Sequence, residues 1–223
     1  MTEPLVVAVD GPAGAGKSAV GRRVAEGLGL PFVDSGLFYR AVAWLAHEEG
    51  VASADVSRLV ALASRPDVRV EGGRVQVGSR DLTDLVYRPE INQNLSAISQ
   101  VPEVREAIDE RQRRLATGPG VVVAGRDIGT VVFPETPLKF FLTASLAERV
   151  RRRLAQKAKR GERADAAEME REIAARDVAD STRAVAPLRP APDAVIIHTD
   201  GLDVDDVVER IVRQVRQGRE ARK

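Results

Sequence analysis

A glycine-rich segment near the start of the chain has the residue types and spacing needed to bind a polyphosphate. It reads GPAGAGKS, with Gly11, Gly16, Lys17 and Ser18 in the pattern Gly-x4-Gly-Lys-Ser. Glycines let successive backbone N–H groups face phosphate oxygens, and the dipole of the helix that follows also favours an anion. The lysine reaches the outer phosphates, and the serine ligates Mg²⁺. We therefore expect a site for ATP with Mg²⁺ that comprises Gly11, Pro12, Ala13, Gly14, Ala15, Gly16, Lys17, Ser18 and Ala19.

The residues on either side of this segment favour the same interpretation. The preceding run LVVAVD is short, apolar and rich in β-branched residues, which predicts a strand buried on both faces of a parallel sheet. After Lys17, an apolar residue recurs at Val20, Val24 and Leu28, which predicts one face of a helix. A phosphate-binding loop requires this order of strand, loop and helix.

The loop does not say which group receives a phosphate. Water as the acceptor would make the protein an NTPase, but the Asn-Lys-x-Asp and Asp-x-x-Gly motifs of GTPases are absent from the sequence. A small acceptor is favoured because polar and arginine residues gather at predicted strand ends, where open α/β sheets bind ligands. The candidates lie in four groups: Ser35, Tyr39 and Arg40 in DSGLFYR; Arg126 and Asp127 in GRDIGT; Ser96 with Arg105; and Arg176, Asp180 and Arg183, predicted to share one helix face.

Composition excludes several other kinds of site. The chain has no cysteine, so disulfides and thiolate chemistry are excluded, and its two histidines, His47 and His198, are not spaced as metal ligands.

No window approaches the roughly 18 apolar residues of a membrane span, and the start MTEPL does not resemble a signal peptide. We expect a cytoplasmic protein with no membrane partner. The net charge of +1 calls for no nucleic-acid partner, and no extended apolar seam is evident, so we expect a monomer.

The elements that must position these residues alternate along the chain. Strands are predicted at 5–10, 31–34, 121–125, 138–143 and 193–199, and helices at 37–49, 89–116, about 145–160, about 165–178 and 203–217, the last with Asp203 as its N-cap. Residues 66–82 alternate apolar and polar on both sides of Gly72-Gly73, which predicts an antiparallel hairpin. Five strands alternating with helices predict a doubly wound α/β domain with a small antiparallel insertion.

Taken together, these segments closely resemble the bacterial cytidylate kinases. The resemblance runs from about residue 5 to 215 and rests on GPAGAGKS, FVDSGLFYRAVA, GRDIGTVVFP, LKFFLTAS and RDVADSTRAVAPLRPAPDAVIIHT. It implies a P-loop kinase that transfers phosphate from ATP to CMP or dCMP. It also implies one domain with three parts: a parallel-sheet core of about residues 1–63, 106–148 and 186–218, a nucleotide-binding insert of about 64–105, and a helical lid of about 149–185.

The resemblance assigns roles to the candidate residues. Ser35, Arg40 and Arg126 would hold the CMP phosphate. Arg176 and Asp180 would face the sugar. The base would be read by Ser96, Arg105, Asp127 and Arg183, with Tyr39 beside it. Ala124 departs from the pattern, because the family usually has an acidic residue before GRDIG.

The basic stretch ERVRRRLAQKAKRGER allows three interpretations: a solvated helix face, an RNA-binding surface, or the lid of a kinase. No aromatic residues interleave with the basic ones, which disfavours binding of single-stranded RNA. We favour the lid, with Arg149, Arg152 and Arg153 closing on the transferred phosphoryl group. A kinase for UMP, AMP or another acceptor, and a P-loop regulatory or RNA-binding protein, remain alternatives at this point.

Overall fold

The computed structural model describes residues 4–159 and 161–220, with the side chains of residues 219 and 220 left out. No helix in these two ranges is both long and apolar enough to cross a bilayer. Arg160 and the termini lie outside the described residues.

A five-stranded parallel sheet forms the centre of the fold. Its strands are β1 (Leu5–Asp10), β2 (Phe32–Asp34), β6 (Gly120–Gly125), β7 (Lys139–Thr143) and β8 (Val195–His198). They lie in the order β2-β6-β1-β7-β8, and every neighbouring pair is parallel. The predicted parallel-sheet core is confirmed, because the apolar runs in β1 and β6 are buried between two helical layers.

Helices cover both faces of this sheet. One apolar cluster joins it to α2 (Gly36–Glu48), α3 (Val56–Ala63), α4 (Pro89–Ile98) and α5 (Pro102–Arg113). The other joins it to α1 (Lys17–Leu28) and α8 (Val204–Glu220). Asp203 caps α8 as predicted, since its Oδ1 accepts a 2.9 Å hydrogen bond from the N–H of Asp206. The sequence reasoning missed α3, although Asp55 caps it in the same way by accepting from the N–H of Arg58.

The segment between α3 and α5 forms the predicted antiparallel insertion. Strands β3 (Val68–Glu71), β4 (Arg74–Val77) and β5 (Arg80–Asp81) pair in sequence order, and a short helical turn at Leu85–Tyr87 leads into α4. The prediction of one helical stretch over 89–116 was wrong. Residues 99–101 separate α4 from α5, because Pro102 disfavours helical geometry at Val101, whose backbone is extended.

Two charged helices stand apart from the main core. They are α6 (Leu146–Lys159) and α7 (Ala166–Thr182), and they share a small apolar cluster built on Val150, Met169 and Ile173. The prediction that Arg183 shares a helix face with Arg176 and Asp180 was wrong. The helix ends at Thr182, and Arg183 has extended backbone angles of φ −60° and ψ 140°.

Candidate functional site

The site lies where the carboxyl ends of the central strands meet. In the sheet register Asp10, the last residue of β1, is opposite Gly125, and Asp34, the last residue of β2, is opposite Ala124. The segments that follow these strands are therefore neighbours in space. They are the glycine-rich loop, the start of α2 and the GRDIGT turn, so the structure brings the loop together with two of the four candidate groups.

The glycine-rich loop has a backbone that other residues would not adopt. Gly11 has φ +146°, and a Cβ on it would lie 2.0 Å from the carbonyl oxygen of Leu142. Gly14 and Gly16 also have positive φ values, of +80° and +95°. The loop ends where α1 begins, at Lys17. Its N–H groups and the positive end of α1 therefore share one location, as a phosphate-binding loop requires.

The loop's lysine is held at the mouth of the loop. Its side chain is buried, and Nζ donates a 2.7 Å hydrogen bond to the carbonyl oxygen of Pro12. Burial, followed by the positive charge of Arg126, holds the pKa of Lys17 well below its usual value. An anion in the loop would oppose this lowering of the Lys17 pKa, so the lysine favours binding of a phosphate group.

Ser18 follows Lys17 and contacts an acidic residue on the neighbouring strand. Its hydroxyl donates a 2.5 Å hydrogen bond to Oδ2 of Asp34, whose Oδ1 accepts from the N–H of Gly36 at 3.1 Å. A hydroxyl and a carboxylate at the edge of a phosphate site are the oxygen donors that Mg²⁺ prefers.

Four arginine side chains converge beside the loop. Burial lowers the pKa of Arg40, and the charges of Arg153 and Arg126 lower it further. Desolvation by neighbouring groups, then the charges of Arg126, Arg40 and Arg153, lower the pKa of Arg176 to about 10, although 41% of its side chain is exposed. Asp180 partly neutralises the group, since its Oδ2 lies 2.9 Å from Nε of Arg126 and 3.9 Å from Nε of Arg176. The charge of Asp34 also opposes the lowering of the Arg40 pKa. The excess of positive charge makes this group a candidate for a second anion site.

A buried group of charged side chains lies at the GRDIGT turn. Nη2 of Arg105 lies 2.5 Å from Oδ2 of Asp127, and both side chains are at most 5% exposed. Nη2 of Arg183 is 3.5 Å from the other oxygen, Oδ1. Among the described residues, Nη2 of Arg183 and the hydroxyl of Tyr39 are buried without a hydrogen-bond partner. The Arg105 guanidinium also lies over the Tyr39 ring, at 5.2 Å from its centroid. These groups can recognise a polar planar ligand.

The two predicted serines are placed differently from each other. Ser35 is buried at the edge of the sheet, where its N–H donates to the carbonyl oxygen of Ala124 at 2.9 Å. Ser96 is exposed on α4, and its hydroxyl accepts only a long hydrogen bond, 3.4 Å, from Nε2 of Gln100. Arg105 bonds instead to the carbonyl oxygen of Ser99. The structure therefore does not join Ser96 to Arg105 through a hydrogen bond.

The three arginines predicted for the lid differ in what they contact. Arg149 and Arg152 donate to carbonyl oxygens of the glycine-rich loop, Arg149 to Ala13 at 3.2 Å and Arg152 to Ala15 at 3.4 Å. Arg152 also donates to the carbonyl oxygen of Thr199 at 2.6 Å. By contrast, Arg153 donates to the Gln156 side chain within its own helix and adds its charge to the arginine group.

Asp10 is a residue of the site that sequence reasoning missed. It is 5% exposed, and its two oxygens accept from the N–H groups of Ile128 and Gly129 at 2.9 and 2.7 Å. It therefore joins the strand before the loop to the turn that carries Arg126 and Asp127. The signal available in the sequence was an acidic residue ending an otherwise apolar strand, but its partners lie 118 and 119 residues later.

We expect Asp10 to make the protein's stability depend on pH. Burial raises the pKa of Asp10 from 3.8 to about 6, despite the hydrogen bonds from Gly129 and Ile128. The pKa of Asp10 is higher in the folded state than in the unfolded state. The carboxyl group therefore contributes most to the free energy of unfolding below pH 4, and this contribution is lost as the pH rises towards 6 and above. This pKa shift corresponds to about 3 kcal/mol in the free energy of unfolding. Denaturation from pH 4 to 7 should show the free energy of unfolding of the wild type, relative to Asp10→Asn, falling by up to that amount.

The control for this measurement is Asp84→Asn, which changes an exposed carboxylate of the insertion. The difference in free energy of unfolding between the wild type and Asp84→Asn should not fall in this way between pH 4 and 7. A difference between wild type and Asp10→Asn that stays constant from pH 4 to 7 would contradict the assignment.

The described part of the chain contains no preformed cluster of His, Cys, Asp and Glu metal ligands, either in this region or elsewhere. Within residues 4–159 and 161–220, no three His, Cys, Asp or Glu side chains are grouped so that they could hold a metal ion. His47 and His198 are both exposed.

Comparison with known proteins gives a consistent result. The family model described as "Cytidylate kinase" matches residues 7–217. The chain is 42% identical over 211 residues to a cytidylate kinase from Caldanaerobacter subterraneus subsp. tengcongensis, covering 95% of this chain and 94% of that protein. It is 43% identical over 222 residues to one from Desulforamulus reducens, covering 98% and 100%. A solved structure of an uncharacterized protein from Eubacterium ventriosum shares the fold with a TM-score of 0.53, at 12% identity, over 96% of this chain and 99% of that one.

Proposed function

Since the chain belongs to the cytidylate kinase family and is thus a nucleoside monophosphate kinase, we propose that it transfers the terminal phosphoryl group of ATP to CMP and dCMP. The products are ADP with CDP or dCDP, which serve pyrimidine nucleotide metabolism. The proposal includes a monomer acting in the cytoplasm on small molecules, without a nucleic-acid partner.

One observation carries the proposal: two anion sites lie at the same edge of the sheet. The first is the phosphate loop that leads into α1. The second is the group of Arg40, Arg126, Arg153 and Arg176, whose charges act on one another and are only partly neutralised by Asp180. An NTPase that uses water needs the first site alone, whereas a kinase with a phosphorylated acceptor needs both.

We assign the acceptor's parts to neighbouring groups of the site. Ser35, Arg40 and Arg126 hold the CMP phosphate at the foot of α2. Arg176 and Asp180 face the sugar from α7. The base lies against Tyr39 and is read by Arg105, Asp127, Arg183 and, once the insertion closes over the site, Ser96.

The buried charges suit cytosine better than uracil. Cytosine presents an N4 amino donor, which a carboxylate such as Asp127 accepts, and its N3 and O2 are acceptors for arginine donors. The Nη2 group of Arg183 supplies such a donor, since it is buried without a hydrogen-bond partner in the described structure. Uracil reverses the hydrogen-bonding character at positions 3 and 4, so it would leave buried polar groups unpaired, and enzymes reject such analogues strongly.

The residues at the loop fit a bound Mg²⁺ that accompanies ATP. Ser18 would ligate it, and Asp34, hydrogen-bonded to Ser18, would hold its water ligands, which is consistent with the oxygen donors that Mg²⁺ prefers. The family's usual acidic position is Ala124 here, and Asp34 lies beside it in the sheet register. The ion supplies charge neutralisation on the outer phosphates.

Transfer needs no general base, because the attacking group is a phosphate oxygen that is already anionic. This oxygen forms a bond to the terminal phosphorus of ATP while the bond from that phosphorus to the bridging oxygen breaks, and the electron pair leaves with ADP. Lys17, Arg126 and Arg153 offset the charge on the transferred group. The sequence predicts the same role for Arg149 and Arg152, but because they donate to carbonyl oxygens of the loop, we assign them to holding the loop in place. Catalysis then consists of positioning and charge neutralisation.

We further propose that the chain closes in three parts, with a core at about 1–63, 106–148 and 186–218, an insert at about 64–105 and a lid at about 149–185. The separate apolar cluster of α6 and α7 supports a lid that moves as one body. Closure would exclude water, so that ATP is not hydrolysed before an acceptor binds.

Phosphoryl transfer from Mg-ATP to a panel of monophosphates tests the proposal. We expect rapid ADP formation with CMP and dCMP, and kcat/KM lower by at least about 100-fold with UMP, AMP or GMP. A preference for another monophosphate would agree with a kinase activity but would overturn the roles assigned to the base-reading residues. ADP formed equally without any acceptor would identify an NTPase and overturn the acceptor site.

A further inference from the structure

Arg149 connects the phosphate loop to the start of α6. Its Nε donates to the carbonyl oxygen of Ala144 at 3.1 Å, and its Nη1 donates to that of Ala13 at 3.2 Å. The side chain is 8% exposed. Contact with the loop is close, since a Cβ on Gly14 would lie 2.9 Å from Cβ of Arg149. The position of Arg149 is therefore tied to the conformation of the loop.

The same guanidinium reaches α7 through an ion pair. Its Nη2 lies 2.6 Å from Oδ2 of Asp177, which is 25% exposed. Asp177 follows Arg176 directly and precedes Asp180 by three residues, so a shift of Asp177 moves both residues that we assign to the sugar. One guanidinium thus contacts the donor loop and the helix that serves the acceptor.

Asp177 is not part of the substrate machinery assigned above, and its contact is incomplete. Only Oδ2 is paired, and within the described residues Oδ1 is buried without a hydrogen-bond partner. A buried unpaired carboxylate oxygen is unfavourable, whereas Arg149 retains donors beyond those it uses here. A small rotation of the Asp177 carboxylate would therefore pair both of its oxygens with Arg149.

We propose that the Arg149–Asp177 ion pair couples the two substrate sites, so that a nucleotide in the loop strengthens binding of the acceptor. This rests on the proposed function. A triphosphate in the loop fixes the Ala13 carbonyl and with it Arg149, and the ion pair then holds α7 with Arg176 and Asp180 in place. By reciprocity, the acceptor strengthens donor binding by the same factor. Asp177 is a positioning residue that acts through Arg149.

The test measures the coupling itself. Calorimetric titration gives the Kd of CMP with and without a saturating non-hydrolysable ATP analogue and Mg²⁺. In the wild type, the analogue should lower this Kd by a factor of about 5 to 150, the usual range for coupled sites. In Asp177→Ala, the factor should fall to near one while each ligand still binds alone, because alanine removes the ion pair and preserves the helix.

Two further variants distinguish coupling from a structural role. Glu172→Ala removes an exposed acidic residue from the same helix and should retain the wild-type factor. Asp177→Asn keeps the side chain's shape and one acceptor oxygen, so it should give an intermediate factor, and it carries the test if the alanine variant does not fold. A general loss of structure would weaken CMP binding without changing the factor.

The outcomes separate this inference from the proposed function. If wild type shows the coupling and both Asp177 variants retain it in full, the inference is overturned and the kinase assignment stands. The same holds if wild type binds both ligands without coupling. If wild type does not bind CMP at all, the proposed function fails, and the coupling to CMP fails with it.

Discussion

Replacing Lys17 with alanine should lower kcat for phosphoryl transfer by at least about 1,000-fold, the scale on which enzymes lose activity when one charge that stabilises a transferred phosphoryl group is removed. Lys17 stands at the mouth of the phosphate loop, where its ammonium group is already desolvated and fixed by the Pro12 carbonyl. Because it is oriented before substrate binds, little reorganisation is needed at the moment of transfer. Steady-state rates with Mg-ATP and CMP measure the effect.

Lys139→Ala is a matched control for this variant. Lys139 is also buried, and its Nζ also donates to the carbonyl oxygen of the proline five residues earlier, Pro134, at 2.7 Å. It pairs with Asp193 instead of facing the phosphate loop. This variant should lose stability and keep kcat near the wild-type value. Activity of Lys17→Ala within tenfold of wild type would refute the role assigned to the loop.

Replacing Asp127 with alanine should lower the free energy of unfolding by about 3–5 kcal/mol, which is typical when one partner of a buried ion pair is removed. The carboxylate lies between Arg105 and Arg183, and all three side chains are at most 5% exposed. Without it, two buried guanidinium groups face each other with less compensation. Chemical denaturation of the wild type and Asp127→Ala at pH 7 measures this loss in the free energy of unfolding.

Asp205→Ala provides the comparison for this loss. Oδ1 of Asp205 lies 2.5 Å from Nη2 of Arg23, the same separation as in the Arg105–Asp127 pair, but the side chains are 62% and 49% exposed. Exposed pairs usually contribute about 1 kcal/mol or less. Equal losses from Asp127→Ala and Asp205→Ala would show that burial of the Asp127 group does not have the energetic consequence argued here.

The order of strand, glycine-rich loop and helix could be predicted from sequence because all its determinants are local. Gly11, Gly16, Lys17 and Ser18 lie within eight positions, and a buried strand and a helix flank them. The five-stranded parallel sheet was predicted for the same reason, since each apolar run is continuous. The same local signals exist for α3, where Asp55 and the apolar pattern after it could have revealed the helix.

The buried charged group at the GRDIGT turn depends on contacts that local patterns do not specify. Arg105 and Asp127 are 22 residues apart, and Asp10 meets Ile128 after 118. For Arg183, helical spacing gave the wrong geometry because α7 ends one residue before it. Its extended backbone lets Nε donate to the carbonyl oxygen of Ala186 at 2.5 Å and brings Nη2 to Asp127.

The strand order also has a consequence for the time at which the active site can form during synthesis. The central strand β1 is the first strand to be made, yet its two partners are β6 and β7, which end at Gly125 and Thr143. At about 5–20 residues per second, the ribosome needs on the order of ten seconds to add them. For most of that interval the apolar LVVAV run has neither neighbour, and Asp10 lacks the backbone N–H groups that hold it. The nascent chain therefore carries the complete phosphate-loop sequence well before it can bind a nucleotide, and its first strand is the segment that a chaperone would have to shield.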